Sequence, residues 1–355
     1  MPMHECRTAL NMMENTTDVN TVPSECGELR AMILAGDVGA TKTLLGLFER
    51  RTTRPRPLLV RKFETTRFAG LTDMIGRFTA DEAVDRAVIT AACIGVAGPV
   101  LGATAELTNV PFTIEAPGIS QTFGIPQVTL LNDLQAMAHA VPVLEDTELH
   151  VLQRGEAVSG GNMALIAAGT GLGQALLHNV GGRFVPSPSE AGHADWAPRT
   201  ERDVAVLRLL VARYGRAEVE QVVSGKGLPN LHRATHLHGC AAGIDADAPG
   251  APASLTRSAL DRTCAACVEA LDIFVEAYGA EAGNLALRAM ATAGLFIGGG
   301  IAPKILPAMA DGRFLRAFHD KGPMRALVQN VPVKVILNAD AGLLGAAVFA
   351  AGLAG

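Results

Sequence analysis

Two stretches of the chain repeat one local pattern: an apolar strand, a glycine turn and a second strand. In the first, Met32-Ile33-Leu34-Ala35 is apolar, Gly36-Asp37-Val38-Gly39-Ala40-Thr41-Lys42 has turn chemistry, and Thr43 to Phe48 is strand-like again. In the second, Met163 to Ala168 leads through Gly169-Thr170-Gly171-Leu172-Gly173 into Gln174 to His178, closed by the turn Asn179-Val180-Gly181-Gly182. Each predicts a hairpin whose glycines let backbone N–H groups approach an anion. Neither turn is a single-loop nucleotide motif. The first lacks P-loop spacing, the second has the wrong spacing for a third dinucleotide glycine, and a strand follows each where those motifs need a helix. Alone, either turn is ordinary hairpin chemistry, with Asp37 free to brace its loop through an Asx bond. Together, two such hairpins can grip a nucleotide polyphosphate from facing lobes.

The rest of the text alternates strands and helices, which predicts an α/β fold. Apolar runs at Ala87 to Ala97 and Val128 to Leu131 read as strands, the second leading into a helix from about Asp133 to Val141. Helical patterns follow near 201–214 and 258–290, then a strand and glycine turn at Leu295 to Gly300. A small-residue helix closes the chain from about Ala341 to Leu353, and the Ala- and Gly-rich stretch Ala241 to Ala253 reads as an exposed loop. With 355 residues, the chain is long enough for two lobes.

Composition removes several classes of function. Lys plus Arg count 30 against Asp plus Glu 35, without a long basic tract, which argues against nucleic acid as the main partner. Aromatic residues are only 4%, too few for a carbohydrate-binding sandwich lined with stacking platforms. The longest apolar stretch, about Ala289 to Pro303, is broken by Gly298-Gly299-Gly300 and is shorter than the ~20 residues of a membrane span. Residues 1–30 are polar and unpatterned, lack the apolar region of a secretion signal, and read as a disordered extension of a cytoplasmic protein. Six cysteines in such a chain do not suggest a disulfide framework. Cys264-Ala-Ala-Cys267 falls inside the predicted helix from Ser258, with Leu260, Leu271 and Val275 on the same stripe. Since no second Cys/His pair follows at zinc spacing, both thiols are read as buried helix positions.

Several polar residues sit where chemistry is done. Asp133 follows the strand Val128 to Leu131 and Asn132, so it lies at a strand end and a helix start, where open α/β sheets gather ligands. It is either a helix cap or the carboxylate that a kinase needs beside an attacking alcohol. Glu190-Ala191-Gly192-His193 offers a carboxylate and an imidazole suited to several hydroxyls on one face of a sugar, or two solvated polar residues. Glu220 before Ser224-Gly225-Lys226-Gly227 is a solvated glutamate or a further hydroxyl ligand, and Asn109 a turn residue or an amide donor to a ring hydroxyl. Gly298, Gly299 and Gly300 make a tight strand-to-helix turn or a floor for adenosine. The run Gly342 to Ala347 reads as a helix made for close packing.

In order along the chain, Ala35 to Lys42, Leu107 to Phe112, Leu131-Asn132-Asp133, Gly169 to Gly173, Glu190 to His193, Ser224 to Leu231, Phe296 to Lys304 and Gly342 to Ala347 resemble bacterial glucokinases, which belong to the actin-like ATPase superfamily of sugar kinases. The resemblance runs from about Met32 to the C-terminus. It implies a two-lobed actin-like ATPase (ribonuclease H-like) α/β fold with a central cleft, a small lobe of 31–143 plus about 335–355, and a large lobe of 144–334. It implies ATP and Mg²⁺, glucose as acceptor at its 6-hydroxyl, and a homodimer. It makes Asp133 the base, with Asn132, Glu190, His193, Glu220 and Asn109 on the other hydroxyls. Asp37, Gly39, Thr41 and Lys42 then face the phosphates and Mg²⁺, Asp37 through water; Gly169, Thr170, Gly171 and Gly173 bind the second phosphate side; and Gly298 to Gly300 meet adenosine. Ala191, Phe112, Lys226 and Asn338-Ala339-Asp340-Ala341 depart from the family's usual residues, which bears on sugar fit rather than reaction type. The rival readings are a related hexose kinase of the repressor/open-reading-frame/kinase group, whose Cys-rich zinc motif is absent around Glu190 to Trp196, and a sugar sensor without turnover. An actin- or chaperone-like ATPase gives no reason for Glu190, His193 and Glu220 together.

Overall fold

The computed structural model of the chain describes residues 31–81, 88–107, 112–236 and 239–353. The first half runs β1 (Met32–Val38), β2 (Lys42–Glu49), β3 (Arg56–Glu64), α1 (Leu71–Asp81) and β4 (Ile89–Val96). A small sheet of β5 (Val100–Leu101), β6 (Thr104–Glu106) and β7 (Thr113–Glu115) follows, then α2 (Ala116–Phe123), β8 (Gln127–Asn132) and α3 (Asp133–Ala140). The second half begins with β9 (Leu149–Gln153), β10 (Met163–Ala168), β11 (Leu172–Val180) and β12 (Arg183–Ser189). Helices α4 (Glu201–Tyr214), α5 (Gly227–Thr235), α6 (Ala251–Leu260) and α7 (Ala265–Ala289) precede β13 (Gly294–Gly298). The chain ends through α8 (Leu306–Ala310), α9 (Arg313–His319), α10 (Arg325–Asn330), β14 (Val333–Ile336) and α11 (Ala341–Leu353).

The repeated turn of the sequence is the tip of a repeated sheet. In the first sheet, ordered β3-β2-β1-β4-β8, an antiparallel meander is extended on the β1 side by two parallel strands. The second, β12-β11-β10-β13-β14-β9, repeats that plan and adds β9 antiparallel at its edge. The hairpins close where expected, with Val38 opposite Thr43 and Ala168 opposite Leu172. Parallel strands put their carboxyl ends at one edge of a sheet, so the segments after Val38, Val96, Asn132, Ala168 and Gly298 are where loop chemistry collects. Among the described residues no helix is long and apolar enough to cross a membrane.

The predicted helix over 258–290 is two helices. Chain direction changes between Leu260 and Ala265, with Arg262 at a φ of 55° and the Thr263 N–H donating to the Ser258 carbonyl at 3.0 Å. Cys264 therefore stands at the N-cap of α7 and not within a helix. The loop read as Ala241 to Ala253 ends earlier, because α6 starts at Ala251 with Pro252 in its first turn, where a proline costs no hydrogen bond. Behind β10, α7 buries Tyr278, whose hydroxyl accepts from the Ala168 N–H at 3.2 Å and anchors the start of the second glycine turn.

The C-terminal helix α11 returns to the first sheet, packing on β1, β4 and α3. Its run of Gly342, Gly345, Ala346 and Ala347 has a mechanical reason: a Cβ on Gly345 would stand 1.7 Å from the Ala136 carbonyl oxygen of α3. The helix backbones touch without intervening side chains. A bidentate pair ties the same region to β9: Arg54 grips Glu148 at 2.6 and 2.9 Å, and Asn338 donates to Glu148 at 2.6 Å. The Arg54 guanidinium holds the Glu148 carboxyl down at about 2. In Gly345→Ala, a helix-propensity gain of ~1 kcal/mol is outweighed by overpacking of ~1–3 kcal/mol or more. The variant is expected to unfold at lower temperature or urea than the parent, and equal midpoints would contradict the close packing.

Candidate active site

Asp37 is the sixth residue of β1, two before Gly39 opens the turn. The Gly39 N–H donates to the Lys42 carbonyl at 3.0 Å, and the Thr65 hydroxyl donates to the Gly39 carbonyl at 2.8 Å, so the first turn is braced from outside the hairpin. Thr41 is exposed at its tip. Asp37 lies against the head of α11, its Oδ2 3.2 Å from where a Gly342 Cβ would be. Lys42 Nζ is 4.0 Å from Asp340 just before that helix.

Asn132 and Asp133 divide the work at the start of α3. The cap is Asn132: its side-chain oxygen accepts from the Leu134 N–H at 3.0 Å, and its amide donates to the Gly98 carbonyl at 3.3 Å. Asp133 is the first helical residue and takes a bond from the same N–H at 2.8 Å through Oδ1. Asn132 holds the N-cap position, and Asp133 shares its N–H donor from within the first turn.

The second turn is held from beneath. The Gly169 N–H donates to Gly171, the Gly225 N–H to Gly169 and the Leu172 N–H to Glu220 Oε2, at 2.8, 2.8 and 2.9 Å. A Cβ on Gly171 would come 2.5 Å from that same Glu220 oxygen, and one on Gly173 would meet Leu134 of α3 at 2.8 Å. Glycine is required here so that turn, glutamate and helix can converge. Glu220 is further approached by Lys226 Nζ at 3.8 Å.

Asn132, Asp133, Glu190, Glu220, Gly169 to Gly173 and Gly299 line one cavity of about 340 Å³. A larger one of about 590 Å³ shares Gly169 and Thr170 with it and continues along Gly225, Pro252, Arg257, Ile301 and Lys304. Of the sequence-predicted carboxylates, Asp133, Glu190 and Glu220 thus meet at the smaller cavity and Asp37 is outside its lining, and the second glycine turn stands between the two cavities. Two expectations look different in three dimensions. His193 is outside the cavity lining, its ring about half exposed and its Nδ1 2.9 Å from Glu218 Oε2, a contact that raises the imidazole above its usual range. Gly298 is buried, where a Cβ would strike Met137 Sδ at 2.7 Å, while Gly299 takes the bend at a φ of 83°. Asn109 lies outside the described residues. Sequence reasoning missed Glu218, whose only signal was a second carboxylate two positions before Glu220, and the placing of Asp340 beside Lys42.

The electrostatics are those of an acidic pocket. Burial, above all, pushes Asp37 up to about 6, and Asp133 and Asp340 add to it against the opposing pull of Lys42. Burial also raises Asp133, as does Glu190, while the N–H bonds at the helix start pull it back. Folded Asp37 takes its proton near pH 6, against an ordinary 3.8, so between these values the folded state binds more protons than the unfolded one. Stability from this group therefore falls as pH rises through about 4 to 6 and stays lower above. Asp37→Asn is expected to raise the unfolding midpoint above about pH 7 in metal-free buffer and to flatten the slope below it. A variant no more stable than the parent there would contradict the burial of this charge.

The sequence profile described as Glucokinase matches residues 34–353. A glucokinase from Nostoc punctiforme is 36% identical over 341 residues, spanning 91% of this chain and 99% of its own. Among solved structures, a glucokinase from an Antarctic psychrotroph superposes with a TM-score of 0.81 at 29% identity, over 91% of this chain and 99% of that one. A ROK family glucokinase from Streptomyces griseus, solved with glucose and AMPPNP, shares the fold at a TM-score of 0.60 and 22% identity, over 90% and 99%. A profile match over nearly the whole described chain, a relative at 36% identity and the shared fold lead to one conclusion: the chain belongs to the glucokinase family, with the actin-like ATPase fold of its sugar kinases.

Proposed function

We propose that the chain transfers the γ-phosphoryl group of ATP to the 6-hydroxyl of glucose, giving glucose 6-phosphate and ADP, with Asp133 as the base. One observation carries this reading: Asp133, Glu190 and Glu220 share a cavity that meets a second, larger one at the Gly169–Thr170 turn. A sugar in the first and a nucleotide in the second would bring an alcohol and a terminal phosphate together beside Asp133. The glucose and AMPPNP in the Streptomyces griseus protein support that pairing.

In this reading Asp133 accepts the proton of the attacking hydroxyl, and its burial makes it a stronger base than a solvated aspartate. Its backbone anchor at the helix start fixes the carboxylate's direction, which is what in-line phosphoryl transfer asks of its protein. Asn132, Glu190 and Glu220 hold the other hydroxyls, with His193 joining them through the Glu218 pair. Asn109 keeps its place on the family likeness alone. The first turn at Gly39, with Thr41 and Lys42, and the second turn from Gly169 to Gly173 face the phosphates; Gly299 and Gly300 approach adenosine, and Gly298 shapes that turn from below. Residues 31–143 with about 335–355 act as the small lobe and 144–334 as the large one. A homodimer and a cytoplasmic location belong to the same reading and rest on the family likeness.

Mg²⁺ fits this residue set. Asp133 and Asp340 add their negative charge around Asp37 with Lys42 as the opposing cation, so a polyphosphate entering alone would meet like charge. Asp37 would hold the ion through water, and the ion when bound supplies neutralisation of the phosphate oxygens.

Asp133→Asn is expected to lower kcat for glucose-dependent ADP release by ~10²–10⁴-fold and to leave the glucose KM within a few-fold. A coupled assay with purified protein across several hexoses and donors measures both. A near-normal rate in the variant would remove Asp133 from the mechanism, and a parent silent with every sugar would favour a sensor without turnover.

A further inference from the structure

Five side chains with metal-binding atoms meet where α5 ends and α7 begins. His232 is in the last turn of α5, His236 is its C-cap, Cys240 comes from the loop beyond, and Cys264 and Cys267 flank the first turn of α7. From His236 Nε2 to the sulfurs of Cys264 and Cys267 is 3.4 and 3.5 Å. From the Cys240 sulfur to the same two is 4.0 and 3.8 Å. A tetrahedral ion with bonds of about 2.3 Å to sulfur and about 2.0–2.1 Å to nitrogen sets its ligand atoms roughly 3.5–3.8 Å apart. Four of the six edges between these atoms already have about that length.

The imidazole is in the right form to ligate. His236 Nδ1 lies 2.8 Å from the His232 carbonyl oxygen, which can only accept, so the ring proton is on Nδ1 and the Nε2 lone pair faces the sulfurs. A backbone carbonyl orienting the far nitrogen is how metal-bound histidines are held. Thr235 reinforces the frame, its hydroxyl donating to the Ala266 carbonyl at 3.1 Å across from α5 to α7. His232 stacks on His236 with ring centroids 3.6 Å apart, and its buried Nε2 has no hydrogen-bond partner. Cys264 and Cys267 are buried. The sequence search for a zinc pattern looked downstream of Cys267; the partners lie upstream, across the Ala- and Gly-rich loop.

We propose that His236, Cys240, Cys264 and Cys267 bind one zinc ion through Nε2 and three thiolates, as a structural clasp between the end of α5 and the start of α7. Uptake of Zn²⁺ displaces three thiol protons to solvent and involves no change of oxidation state. All four coordination positions are filled by protein, the mark of a structural rather than a catalytic zinc. The segment enclosed between Cys240 and Cys264 contains α6, whose Pro252, Ala253, Thr256, Arg257, Leu260 and Asp261 line the larger cavity. The clasp therefore fixes one wall of that cavity. The proposal stands on its own geometry and does not depend on the reaction assigned to the neighbouring site.

The test is metal analysis of untagged protein purified without chelator. The expected result is one zinc per chain, retained through desalting and released by a mercurial thiol reagent, with a fall in the unfolding temperature once it is gone. Cys240→Ser and Cys267→Ser are expected to retain less than about a tenth of an equivalent, and Cys93→Ala, at a buried cysteine of β4 outside the cluster, a full one. If the serine variants do not fold, Co²⁺ exchanged into the parent chain replaces them as the readout, with tetrahedral ligand-field bands and thiolate charge-transfer absorption expected. Protein that holds no stoichiometric zinc as isolated or after added Zn²⁺ and desalting would overturn the proposal. So would a disulfide between any two of the three cysteines in freshly purified protein.

Discussion

The site rests on two half-buried carboxylates, Asp37 and Asp133, held at the carboxyl ends of β1 and β8, where burial raises both. An ionised aspartate in such a place costs stability, and the surroundings that sustain it are built into the backbone. Asn132 holds the N-cap position beside Asp133, and α11 presses Gly342 against Asp37. Gly171 makes room for Glu220, and Gly173 for Leu134. Gly342 and Gly171 let a carboxylate lie close against main chain, and Gly173 does the same for an apolar side chain. The acidity that results suits a polyol acceptor and a polyphosphate accompanied by a dication.

Much of this was legible in the sequence because it is carried by local chemistry. Strand–turn–strand units announce themselves through glycine and alternation, and both hairpins closed at their expected turns. The stretch from Ala341 to Leu353 forms the helix that its small residues predict, and Gly345 supplies the reason. What sequence could not supply was pairing across distance. In the sequence Asp133 stays open between cap and base, and only the fold gives the N-cap position to Asn132; Glu218 acquired meaning only through its contact with His193.

The misreading near Cys264 is instructive for the same reason. Leu260, Cys264, Cys267 and Leu271 keep a spacing of three and four, so periodicity runs on through a place where the chain turns, at Arg262. The same turn brings Cys264 and Cys267 to face the end of α5, which lies 28 or more residues back along the chain. A helical stripe and a metal clasp share the C-x-x-C spelling, and only the tertiary fold brings His236 and Cys240 to the two thiols. The proposed clasp and the proposed sugar site stand at opposite ends of α5, whose first turn follows the Gly225 N–H bonded to Gly169.

The central claim, that Asp133 is the group on which a hexose alcohol and a terminal phosphate converge, is tested most directly by a crystal structure of the chain with glucose and AMPPNP. The account predicts the glucose 6-oxygen within about 3 Å of the Asp133 carboxylate, with the γ-phosphorus on the opposite side of that oxygen. Glucose seated with its 6-oxygen turned away, and Asp133 bonded only to the head of its own helix, would contradict it.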